Sequence, residues 1–281
     1  MQMEHDLEIL ATTHYENFPV ASVFIPKRYR KALRLIYAFA RVADDFADEG
    51  NAGVEERLER LDKWETALHD ALTGTAVNVF FQSLAEVIRN FEIPVKLFDD
   101  LLTAFRMDAR GLHCATFDDL AFYCRHSANP VGRIVLHLFG SAGGQNCLWA
   151  DDICTALQLT NFWQDISVDI QKKRVYIPDE DFERFGCSRK SSEAGLSGIT
   201  EQQCRLLMEF EVERTRQLFT KGSPLLQSVD AKLSFQLKLT WYGGMRVLEK
   251  IEQRHGVTFY RRPALNLFDT ALIFTRSLLH R

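Results

Sequence analysis

Two short segments place acidic residues at a spacing that supports metal chemistry. The first reads Tyr37-Ala-Phe-Ala-Arg41-Val-Ala-Asp44-Asp45-Phe-Ala-Asp48. On a helix Asp44 and Asp48 share a face, with Arg41 and Tyr37 on the turns before them. Like charges at that spacing repel, and a divalent cation would relieve the repulsion. The second segment sets Gln158, Asn161, Asp165 and Asp169 in one polar stripe. The turns between hold Leu159, Phe162, Trp163, Ile166 and Val168. So apolar a helix predicts that the stripe lines a polar cavity rather than facing solvent. Mg2+ takes oxygen ligands, usually one or two carboxylates together with phosphate oxygens. Two acidic helices facing each other would offer such ligands from opposite walls. Lys173 and Arg174, just beyond, would hold the same phosphates. A solvated acidic helix end explains the first segment equally well by itself, but not the pair.

The elements that position these residues read as helices. Period-3.6 patterns dominate and strand signals are scarce. One long helix is predicted over 27–48, opened by Pro26. Others follow over 55–72, 78–90, 95–109 and 117–127, with a restart at Asn129-Pro130. Residues 150–171 form the helix of the second segment, ended by the extended Arg174-Val-Tyr-Ile-Pro178. The stretch 186–200 is loop by composition and is expected to act as a lid. Segments 201–221, 224–253 and 264–280 are helical again. With no repeat and no linker, residues 1–281 read as a single all-α domain.

Composition narrows the function. The 281 residues carry a net charge of −4 with both signs mixed, which offers no basic face for nucleic acid. Phenylalanine is the one bias, 21 residues, enough for a core and for the lining of an apolar cavity. The six cysteines form no CxxC pair and no zinc-spaced cluster, so free buried thiols are expected. The eight histidines are scattered, and no HExxH is present. Gly140-Ser-Ala-Gly-Gly144 is not a phosphate loop and reads as helix packing. The N-terminal Met1–Leu10 carries acids before its short apolar run, unlike a secretory signal. A cytoplasmic protein is expected. The amphipathic 264–280 suits core packing, and peripheral contact with the inner face of a membrane is a further expectation.

The motifs are similar to those of the squalene/phytoene synthase family, in the same order over most of the chain. Residues 14–48 resemble its opening, 123–139 its central helix, and 158–178 its second aspartate-rich motif. The resemblance implies the isoprenoid synthase fold with a central cavity. It implies Mg2+ bound by Asp44, Asp48, Asn161, Asp165 and Asp169, with Asp45 beside them. It implies that His14, Tyr15, Glu16, Asn17, Tyr37, Arg41 and Gln158 contact the prenyl diphosphate substrate, and that Tyr123 borders the cavity. Gln164, Lys173, Arg174 and Tyr176 fall in the same substrate region. Phe39, Phe162, Trp163 and Tyr123 are candidates to shield a carbocation, with core packing the simpler role for each.

Within the family, His14–Ser22, Cys124–Arg133 and Asn161–Asp165 resemble the hydroxysqualene-forming branch. Most relatives carry arginine where Gln164 stands, and a tyrosine near Gly243-Gly244. Both departures favour conversion of presqualene diphosphate and water to hydroxysqualene and diphosphate, with NADPH not expected. Head-to-head condensation of farnesyl diphosphate is the alternative. A non-catalytic assembly protein should have lost the carboxylates, which are all present. Contacts with enzymes of the same pathway are a further expectation.

Overall fold

The computed structural model describes residues 26–188, 199–253, 259 and 261–279. The described residues are helical, with no strand among them. They divide into two compact units, one within Met1–Leu112 and Arg133–Ala142, the other within His113–Gly132 and Gly143–Arg281.

The first unit contains α1 (Lys27–Asp48), α2 (Val54–Thr73), α3 (Val79–Asn90), α4 (Lys96–Ala109) and most of α6 (Asn129–Leu138). Its core forms because α1 buries Ile36, Phe39, Ala43 and Ala47 at helical spacing, leaving the carboxylates on another face. Phe39 packs edge-on to Phe98 at 5.3 Å and stacks on Trp64 at 5.8 Å. The Trp64 indole N–H donates to the Phe39 carbonyl at 3.3 Å. At the surface, His69 bonds Asp99 at 2.9 Å, and Arg106 meets both Asp62 and Glu65 at 2.7 Å. These contacts bind α2 to α4. They give the Glu65–His69–Asp99 cluster a structural role.

The second unit is built on α7 (Gln145–Asp169), with α5 (Phe117–Ser127), α8 (Asp179–Arg184), α9 (Glu201–Gly222), α10 (Leu225–Ser228), α11 (Ala231–Glu252) and α12 (Leu267–Leu279). Glycines let these helices approach closely. A Cβ at Gly222 would lie 2.7 Å from the Trp149 carbonyl, and one at Gly244 would lie 2.5 Å from the Phe219 ring. The Trp163 indole is fully buried and donates to Thr215 Oγ1 at 2.8 Å. Thr116 and Thr200 open α5 and α9 with capping boxes closed by Asp119 and Gln203. All six cysteines are free, and all lie in this unit.

Several expectations need correction. The long helix begins at Gln145, not at residue 150. The glycine run before it is a turn rather than helix packing, because Gly140 and Gly144 hold φ of 66° and 50°. The span 224–253 is broken at Val229-Asp230, where the Asp230 carboxylate accepts from the Lys232 and Leu233 amides and caps a new helix. The short α8 was not foreseen.

Candidate active site

Helix α1 brings Arg41, Asp44, Asp45 and Asp48 together. The Arg41 guanidinium meets Asp44 at 3.2 Å, Asp45 at 2.7 Å and Glu49 at 3.0 Å. One cation thus serves three carboxylates. Burial, and then the charges of Asp48, Asp45 and Glu49, push the Asp44 carboxyl up to about 6 against the pull of Arg41. The end of the helix is fixed from α2: Arg57 donates to the backbone carbonyls of Ala47, Gly50 and Ala52. Tyr37 is half-buried on the same helix.

Helix α7 carries the second set. Gln158, Asp165 and Asp169 are half-buried, and Asn161 is exposed. Burial, and then the charge of Asp165, raise the Asp169 carboxyl to about 6, opposed by Lys172, Arg174 and Arg262. Arg262 forms an ion pair with Asp165. The side-chain amide of Gln164 donates to the Pro263 carbonyl at 2.7 Å. After Asp169 the helix tightens into a 3-10 turn, Ile170–Lys172. Lys173 then adopts φ 59°, a left-handed conformation costly for a residue with a Cβ. The Arg174 amide returns to the Asp169 carbonyl at 2.8 Å. This hook ends the helix at Lys173 and Arg174 and sends Val175 and Ile177 into the core.

Beside the hook lies an aromatic group. Phe162 stacks on Tyr176 with centroids 3.8 Å apart, and Tyr123 stands 6.1 Å from Phe162. Of the four cation-shielding candidates, Phe39 and Trp163 are fully buried in their units' cores. Phe39 packs there against Trp64 and Phe98, and Trp163 bonds Thr215.

The residues His14, Tyr15, Glu16 and Asn17, and loop positions 189–198, lie outside the described residues. Sequence reasoning missed Glu49, Arg57 and Arg262. Glu49 was recoverable, since it stands one turn after Asp45. Arg262 is 97 positions from its partner, and no local pattern signals it.

The carboxylate and amide oxygens on α1 and on α7 are the hard donors that Mg2+ takes. Each set has an aspartate whose charge is disfavoured by burial and by its neighbours. A bound cation would reverse both penalties, so the donors fit Mg2+.

The squalene/phytoene synthase family model matches residues 11–269, and the chain belongs to that family. It is an enzyme of isoprenoid biosynthesis with the all-α isoprenoid synthase fold. The hydroxysqualene synthase of Sinorhizobium fredii is 32% identical over 243 residues, covering 85% of this chain and 80% of that protein. The phytoene synthase of Mycobacterium tuberculosis is 28% identical over 225 residues, covering 80% and 74%. The crystal structure of squalene synthase HpnC from Alicyclobacillus acidocaldarius is 36% identical with a TM-score of 0.82, covering 90% of this chain and 94% of that one.

Proposed function

We propose that the enzyme converts presqualene diphosphate and water to hydroxysqualene and diphosphate. The observation that carries this reading is Gln164. The family resemblance leads one to expect arginine at this position, and the glutamine found there has its amide committed to the Pro263 carbonyl. Helix α7 therefore offers no cation at that position for a second diphosphate. Ionising one diphosphate on an already joined substrate asks less of the site than condensing two. The similarity to hydroxysqualene synthases supports the same reading.

Asp44, Asp48, Asn161, Asp165 and Asp169 would hold Mg2+, with Asp45 beside them. When bound, it would supply Lewis-acid stabilisation of the departing diphosphate. Lys173 and Arg174, which follow directly after Asp169 in the hook, would add positive charge where negative charge develops. Tyr37 and Gln158 orient the substrate. The carbon–oxygen bond breaks heterolytically, and its electron pair leaves with diphosphate. The cyclopropylcarbinyl cation rearranges beside the Phe162–Tyr176–Tyr123 rings, whose faces attract positive charge. Water adds to the rearranged cation, and its proton passes to the diphosphate. No hydride is consumed, so NADPH is not needed.

Purified protein with Mg2+ and no NADPH should convert presqualene diphosphate to an alcohol and leave farnesyl diphosphate unchanged, read by mass spectrometry. Consumption of farnesyl diphosphate would favour the second reading, head-to-head condensation, which the phytoene synthase relatives support. Asp44→Ala and Asp165→Ala should each abolish turnover with helicity retained.

No helix among the described residues is long and apolar enough to cross a membrane. Helix α12 buries Asp269, Ile273 and Ser277, yet Leu267 and Phe268 are 90% and 72% exposed. That apolar surface supports peripheral contact with a membrane, which suits a largely apolar C30 alcohol.

A further inference from the structure

The segment before α12 is fastened at several points. Pro263 is buried, and its carbonyl accepts from Gln164 at 2.7 Å. The Ala264 carbonyl accepts from Lys250 Nζ at 2.7 Å. Asn266 and Asp269 exchange backbone-to-side-chain bonds of 2.8 and 2.9 Å. Asp269, buried at the start of α12, is gripped in turn by Arg246 and Lys250 of α11. Of these contacts the Gln164 amide is the one that comes from α7, and it acts on the residue next to Arg262. Arg262 is itself 54% exposed and has only its ion pair with Asp165 to order it from α7.

We infer that Gln164 is a positioning residue: it tethers the 261–266 segment to α7 so that Arg262 rests on Asp165 as a removable cation. The guanidinium relieves the repulsion between Asp165 and Asp169 while no divalent ion is bound. A divalent ion entering Asp165 must displace Arg262, so the tether sets how strongly the guanidinium competes. A glutamine suits this task because its amide donates to a carbonyl without adding charge, whereas an arginine there would bring a second cation to the same carboxylates. The metal half of this inference rests on the proposed function; the tether does not.

The test uses the full-length protein without substrate. Gln164→Met keeps size and helix propensity but cannot donate. Trypsin cleavage after Arg261 under native conditions reads the segment's opening, and Mn2+ titration followed by electron paramagnetic resonance reads competition. Gln164→Met should speed cleavage by about 3- to 10-fold, the ratio that one lost hydrogen bond gives. It should also tighten Mn2+ binding with no change in charge, and Arg262→Gln should tighten it more. Wild-type cleavage in Gln164→Met would overturn the tether. Tighter Mn2+ binding in Arg262→Gln alone would mean that Arg262 acts through space and is not held by Gln164. If no protein binds Mn2+, the competition fails together with the metal reading, while the cleavage rate still judges the tether. Faster cleavage and tighter Mn2+ binding in Gln164→Met, together with no alcohol when the wild-type protein is separately given presqualene diphosphate, would overturn the proposed function and leave the tether standing.

Discussion

Tyr176 lies flat on Phe162, its ring plane only 14° from parallel. The pair ties the extended chain after the hook to the helix before it. Lys173 and Arg174 lie in the loop so closed. Tyr176→Leu should remove about 1 kcal/mol of ring–ring interaction, read by urea denaturation. It should also weaken diphosphate binding, read by calorimetry with inorganic pyrophosphate and Mg2+. Lost stability with unchanged binding would mean that the stack does not position the two cations.

Asp44 and Asp169 make the metal-free protein less stable as pH rises. Both carboxyls are raised to about 6, above the usual value near 3.8. The folded state therefore holds protons that the unfolded chain has released. Their favourable contribution is complete below about pH 4 and is lost as pH rises toward 6 and beyond. With a chelator present, Asp44→Asn and Asp169→Asn should each raise the melting temperature at pH 7.5 and change it little at pH 4. An equal gain at both values would place the effect outside these ionisations.

The interior of the second unit contains a third acid of this kind. Glu211 is fully buried, and its carboxyl is pushed well above the ordinary range, first by burial and then by Asp181, with Arg214 opposing. Arg214 holds Asp181 in a two-pronged contact at 2.7 and 2.9 Å. Glu211→Gln keeps the neutral form's shape and should leave stability at pH 6 nearly unchanged. Arg214→Met strands the buried Asp181 and should cost about 3–5 kcal/mol. A mild Arg214→Met would mean that Asp181 finds another partner.

Neighbouring glycines in α11 should respond oppositely to alanine. A Cβ at Gly243 meets nothing within 4 Å, so Gly243→Ala should stabilise by about 0.8–1 kcal/mol through helix propensity. A Cβ at Gly244 would sit 2.5 Å from Phe219 and 3.0 Å from Leu157. Gly244→Ala should cost about 1–3 kcal/mol. Thermal unfolding of the two variants checks both signs.

Much of this could be read from the sequence because it is local. The face of α1 that buries Ile36, Phe39 and Ala43 is written in adjacent turns, and so is the carboxylate face beside it. The hook after Asp169 was marked by Pro178 and the extended run before it. What escaped is short or long-range. Helix α8 has six residues, too few for a period to show, although Pro178 and three acids in its first turn were a start signal. The break at Asp230 carried a capping aspartate inside an otherwise continuous apolar pattern. Arg262 carries no local signal, since only the fold brings it to Asp165.

The one-sided distribution of cysteines gives this chain an internal clock. The first unit has none, and the second has all six. Burial raises the thiols of Cys154 and Cys204 to about 12 and about 11, and Cys124 higher still. They stay unreactive until that unit opens, because the thiolate is the reacting species. The exchange phase of the fully buried Cys124 and Cys204 therefore times the opening of one unit alone, while circular dichroism follows the helices of both. Coincident curves would describe one cooperative domain, and separated curves two units that melt on their own schedules.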